Sequence, residues 1–102
     1  MTKSQVSESD VPYLTVTVER RNYGRRYTWL PVDTLDQQSF TILCKNTYMR
    51  PHMYDLQRGD IVRWKHNGGY LQGTISQIER TEQQLCVRLA DVDSLPADFV
   101  EL

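Results

Sequence analysis

Apolar and polar residues alternate over residues 13–19, where Leu14, Val16 and Val18 are separated by Thr15 and Thr17. A period of two built largely from β-branched residues predicts a half-buried strand, because successive strand side chains point to opposite faces. Asn22-Tyr23-Gly24 supplies turn chemistry, since Asn and Gly both tolerate positive φ. Residues 26–32 then predict the return strand, with Pro31 marking its end or a sheet edge. Residues 33–38 are polar and turn-like, with room for a single helical turn. Residues 39–45 (Ser-Phe-Thr-Ile-Leu-Cys-Lys) predict a third strand. Residues 46–58 hold Tyr48, Met49, Pro51, His52, Met53 and Tyr54 without a clean period, which predicts a long loop or a short irregular helix. A connection of that length is unusual in a small domain and is a candidate for function.

The second half is more regular. Gly59-Asp60 reads as a turn and Ile61-Val62-Arg63-Trp64 as a short strand. Residues 65–69, ending in two glycines, read as a hairpin loop. A longer strand over 70–79 is interrupted by Gly73, the mark of a bulge or tight bend. Leu85, Val87 and Leu89 alternate with Cys86 and Arg88 in a further strand. Residues 91–96 read as an acidic loop and 98–102 as a short closing segment. No stretch sustains a helical period. Short strands at close spacing with glycine turns predict an all-β class, a small barrel or sandwich. Residues 1–11 are polar and predict a flexible tail. Residues 12–102 predict one domain, divided into an N-terminal hairpin, third strand and loop over 12–56 and a barrel over 57–102.

Composition narrows the classes. With 102 residues, 39% hydrophobic and 25% charged, the chain suits one soluble globular core. No apolar run approaches the roughly 20 residues of a membrane-spanning helix, and the first residues lack the apolar stretch of a secretory signal. The expectation is an intracellular protein, cytoplasmic or nuclear, without membrane association; a phage or viral origin is equally compatible. Cys44 and Cys86 sit in apolar runs and read as buried thiols. Neither His52 nor His66 lies near a cysteine, so no metal or other cofactor is expected. The net charge is −1, yet residues 12–65 carry nine Lys/Arg against five Asp/Glu and residues 66–102 carry two against six. A basic side and an acidic side are therefore one outcome of folding, and interleaved charges the other.

The runs Gly59-Asp60-Ile61-Val62-Arg63-Trp64, Gly69-Tyr70-Leu71-Gln72-Gly73-Thr74-Ile75 and Val87-Arg88-Leu89-Ala90-Asp91 resemble a Tudor-type SH3-like barrel, with Phe99-Val100-Glu101-Leu102 in the place of its closing strand. The resemblance covers residues 57–102. It implies a non-catalytic binding module. Members that read methylated lysine or arginine hold the cation against aromatic faces. Trp64 matches the aromatic ending the first strand of that family, and Tyr70 the one opening the second. The third-strand aromatic falls near Leu89 and the last-loop aromatic near Val92, and neither is a ring. The resemblance therefore implies a mouth lined by Trp64 and Tyr70, with Asp91 and Asp93 as its acidic rim and Tyr48 or Tyr54 closing it. Its ligand would be a protein or peptide, with basic or methylated tails among the candidates.

Two other chemistries compete with that mouth. Arg20, Arg21, Arg25 and Arg26 surround Tyr23 at the predicted hairpin tip. Guanidinium forks bind phosphates and a tyrosine stacks on an unpaired base, so single-stranded nucleic acid is the alternative ligand. A solvated, solubilising tip is the plainer account of the same residues. The exposed Tyr, Met and Arg types of the long loop also suit a dedicated protein–protein adaptor or inhibitor. No nucleophile–base pair, phosphate-binding glycine loop or HExxH motif is present, so no catalytic residue is assigned and no enzyme is expected.

Overall fold

The computed structural model describes residues 14–99. Seven antiparallel strands form one sheet: β1 (Thr15–Arg20), β2 (Gly24–Pro31), β3 (Thr34–Leu35), β4 (Ser39–Leu43), β5 (Ile61–His66), β6 (Gly69–Arg80) and β7 (Gln84–Ser94). Their order across the sheet is β2-β1-β5-β6-β7-β4-β3. The outermost strands, β2 and β3, are consecutive in the chain. At their junction the Val32 amide donates to the Leu14 carbonyl at 2.9 Å and the next amide, Asp33, donates to the Thr41 carbonyl at 2.8 Å. Adjacent amides of an extended chain point in opposite directions. One segment thus bonds to both ends of the sheet, which curls into a barrel-like shell.

The predicted alternations supply its interior. Val16 and Val18, Phe40 and Ile42, Val62 and Trp64, and Leu85, Val87 and Leu89 all face one buried cluster. Leu56, from the connection after β4, joins the same core. The all-β class holds, and the described residues contain no helix beyond a 3-10 turn at Pro51–Met53.

Several boundaries differ from expectation for physical reasons. Residues 33–38 contain β3 instead of a helical turn, and Asp36 caps the following bend by accepting the Gln38 and Ser39 amides at 2.7 and 2.9 Å. The expected acidic loop at 91–96 is strand as far as Ser94. Asp91 takes a φ of 55° in a bulge there, which keeps Val92 packed against the core while Asp91 and Asp93 stay exposed. The N-terminal hairpin and third strand extend the sheet formed by residues 61–94. β1 pairs with β5 and β4 with β7, so the N-terminal half provides strands on both flanks of β5-β6-β7. The expected tail at 1–11 and the end of the closing segment lie outside the described residues.

Asn67-Gly68 forms the two-residue turn between β5 and β6, with φ of 50° and 82°. Positive φ at both positions is the primed geometry that matches strand twist. At the predicted bend, Gly73 faces two residues of β7, and an added Cβ would meet Val92 Cγ2 at 2.8 Å and the Ala90 carbonyl at 3.4 Å. Gly73→Ala is expected to destabilise the protein by about 1–3 kcal/mol through this overpacking, read as a lowered denaturant midpoint. An unchanged midpoint would mean that β7 yields at no cost.

Candidate functional site

The register of β1 against β2 breaks twice, between Val16 and Val18 and again between Val18 and Glu19. Val16 faces Leu30 and Val18 faces Tyr27, so Thr28 and Trp29 together oppose Thr17. This two-against-one bulge puts Trp29 at a φ of 55° with its residue 66% exposed. Left-handed backbone costs a bulky residue roughly 1–2 kcal/mol. Its freed amide reaches the hydroxyl of the buried Thr17 over a long 3.5 Å.

Beside Trp29 runs the outer face of the sheet. Thr17 pairs with Arg63, Arg63 with Gln72 and Gln72 with Asp93, so these four form one row across β1, β5, β6 and β7. Lys65 and Tyr70 pair one step along. A crevice of about 70 Å³ is bordered by Thr15, Thr17, Trp29, Arg63, Lys65 and Tyr70, with the buried Trp64 in its lining. Arg63 is clamped by Glu19 Oε1 and Gln72 Oε1, each at 2.8 Å. Its guanidinium lies 5.9 Å from the Phe99 ring centre, and Phe99 meets Tyr70 edge-on at 5.2 Å. These contacts fix the neighbours of Trp29 while its indole projects into solvent.

The mouth implied by the family resemblance is not assembled. Trp64 pairs with Leu71 and is 3% exposed, inside the core, whereas Tyr70 is one residue away from Leu71 and faces outward. The two rings therefore sit on opposite faces of the hairpin. Tyr54 leans on Tyr27 with ring centres 6.3 Å apart, and burial pushes its phenol above the ordinary tyrosine range. Its carbonyl accepts from Arg80, at the far end of β6 from Tyr70, up to roughly 33 Å away at 3.3 Å per residue. Tyr48 is 91% exposed, in the connection between β4 and the 3-10 turn. Neither tyrosine closes a cage on Tyr70. Asp93 does share the outer face with Tyr70, through its partner Gln72.

The arginine tip divides into structural and exposed members. Arg20 donates Nε and Nη2 to the two carboxylate oxygens of Asp60, both at 3.0 Å, and Nη2 also reaches Asp55 Oδ1 at 3.0 Å. Asp60 is 2% exposed and takes a further bond from the Gln57 amide. Hydrogen bonds to Asp60 and then Asp55 hold the Arg20 guanidinium above its already high ordinary value, so it is charged at any pH where the protein folds. Arg20 is thus a strut between the β1–β2 hairpin and the turn before β5. Arg26 lies 4.0 Å from Asp55. Arg21, Tyr23 and Arg25 remain exposed, Tyr23 at 75%.

Trp29 escapes the sequence pattern because residues 26–32 read as one unbroken strand. The inward set Tyr27, Leu30 and Val32 contains an odd step, and an odd step in a period-two pattern requires a bulge. The signal was present at Thr28-Trp29. Among the described residues, Cys44 and Cys86 are unpaired thiols, and no group of three His, Cys, Asp or Glu side chains is placed to hold a metal. No described helix is long and apolar enough to cross a membrane. No family model matches the chain, and comparison with curated proteins and with solved structures likewise finds no match.

Arg20→Ala leaves the buried Asp60 carboxylate without its counter-ion and is expected to cost about 3 kcal/mol in denaturant unfolding. Arg21→Ala, one residue on and exposed, should stay within about 0.5 kcal/mol. Equal effects would show that Arg20 is a surface charge like its neighbour.

Proposed function

We propose that the chain is a non-catalytic binding module that takes a protein or peptide partner on the outer face of the sheet around Trp29. Lys65 and Tyr70 flank the contact, and Asp93 forms its acidic rim. A single observation carries this: a mostly exposed indole held at positive φ. Strain of this kind persists where the surrounding structure imposes it and clusters at binding sites. Trp, Tyr and Arg are the side chains that most often dominate interface energetics. The curled antiparallel sheet and its β5–β6 hairpin fit an SH3-like architecture. Methyl-cation recognition loses its basis, because Trp64 and Tyr70 do not face one another.

Single-stranded nucleic acid at the hairpin tip is the second reading, favoured by the exposure of Tyr23 beside Arg21. The pairing of charges weighs against it. At the tip, Arg20 and Arg26 each lie against a carboxylate, which lowers the positive charge offered to phosphates there.

Trp29→Gly separates function from packing. Glycine accepts the backbone geometry, and this relief is offset by the freedom it adds to the unfolded chain, so the variant should stay within about 1 kcal/mol of the parent. Peptides selected from a displayed random library on the parent protein should bind the variant at least about tenfold more weakly. Equal binding would move the site elsewhere. A loss of more than about 2 kcal/mol in stability would make the indole a packing element. Saturable binding of short single-stranded DNA, abolished by Tyr23→Ala and with no peptide enriched, would favour the second reading.

A further inference from the structure

At the other end of the barrel, the 3-10 turn and the β6–β7 turn flank an open cavity of about 460 Å³ bordered by Arg50, His52, Arg80, Thr81, Glu82 and Gln83. We infer that this cavity is an oxyanion site that accepts a phosphate or phosphate monoester. Both guanidinium groups there are fixed by backbone carbonyls and not by acids. Arg80 donates Nε to the Pro51 carbonyl at 3.1 Å, and Nη2 to those of Tyr54 and Leu56 at 3.3 and 3.4 Å. Arg50 donates Nη2 to the carbonyls of Cys44 and Thr47. Neutral carbonyls orient a guanidinium without cancelling its charge. Among the described residues, neither arginine has a carboxylate within salt-bridge distance, in contrast to Arg20, Arg26 and Arg63.

The Nη1 groups of both arginines and Nε of Arg50 have no hydrogen-bond partner among the described residues. Two fixed, like-charged groups on one cavity repel each other, and a multivalent oxyanion relieves that repulsion while accepting several donors at once. The exposed imidazole of His52 adds a further nitrogen. Glu82 is the one carboxylate on the cavity wall and opposes the anion. This site does not depend on the Trp29 surface, which lies at the β5–β6 hairpin end.

The test is an amide-resolved NMR titration of the whole chain with inorganic phosphate, with sodium chloride at matched ionic strength as the control. Saturable shifts confined to residues 50–53 and 80–83, absent with chloride, are the expected result. Glu82→Gln removes the opposing charge at an exposed position and should tighten phosphate binding about fivefold. His52→Ala should weaken it. Phenyl phosphate should produce the same localised shifts if a monoester is accepted, and binding of inorganic phosphate alone would restrict the site to the free ion. Shifts that never saturate, that chloride reproduces, or that Glu82→Gln leaves unchanged would overturn the assignment.

Discussion

Residues 24–35 have to satisfy hydrogen bonds at both ends of one sheet. Their first part pairs with β1 and their last part with β4, and the hand-over takes place between the amides of Val32 and Asp33. A strand that changes partners in so short a span must bend, and a bulge concentrates bend and twist in one place. Thr28-Trp29 is one such place on β2, and a second register shift follows opposite Val18 and Glu19. Trp29 thus turns outward on the strand that must bend between its two partners. Packing inside the shell follows from the curl, since the inward alternations of β1, β4, β5 and β7 share a core only when the sheet is curled.

Polar side chains tie the connections to this shell. The Arg20–Asp60 pair joins the first hairpin to the turn before β5, and Arg80 gathers three carbonyls from the segment that closes one end. In the N-terminal half, Arg20, Arg26 and Arg63 are each set against a carboxylate. The arginine-rich hairpin tip is therefore less cationic in the fold than along the chain. That loss of available charge counts against the nucleic-acid alternative, and the Arg50–Arg80 cavity is by contrast a place where positive charge is fixed but not cancelled.

The strands were legible wherever alternation ran unbroken, as in Val16-Val18 and Leu85-Val87-Leu89, and Gly73 announced its bend. Features that depend on register were not. Reading 65–69 as a five-residue loop hid the two-residue Asn67-Gly68 turn, which alone dictates that Trp64 faces Leu71 and Lys65 faces Tyr70. With the shorter turn, the proposed pairing of Trp64 and Tyr70 in one mouth could have been rejected from the sequence. Asp91 and Asp93 looked like loop residues because acids are rare in strands, and the bulge that accommodates Asp91 has no local sequence mark. Arg20 and Asp60 lie forty positions apart, and nothing local connects them.

Backbone hydrogen exchange at Val32 and Asp33 tests the account most directly. An ordinary edge strand protects only alternate amides, because every second N–H points to solvent. A segment that bonds to both ends of a curled sheet must protect these two neighbours together, both exchanging far more slowly than the exposed amides of residues 45–48. If either one exchanges at the rate of an unprotected amide, the sheet is open at that point. The bend that the hand-over imposes on that strand then loses its cause.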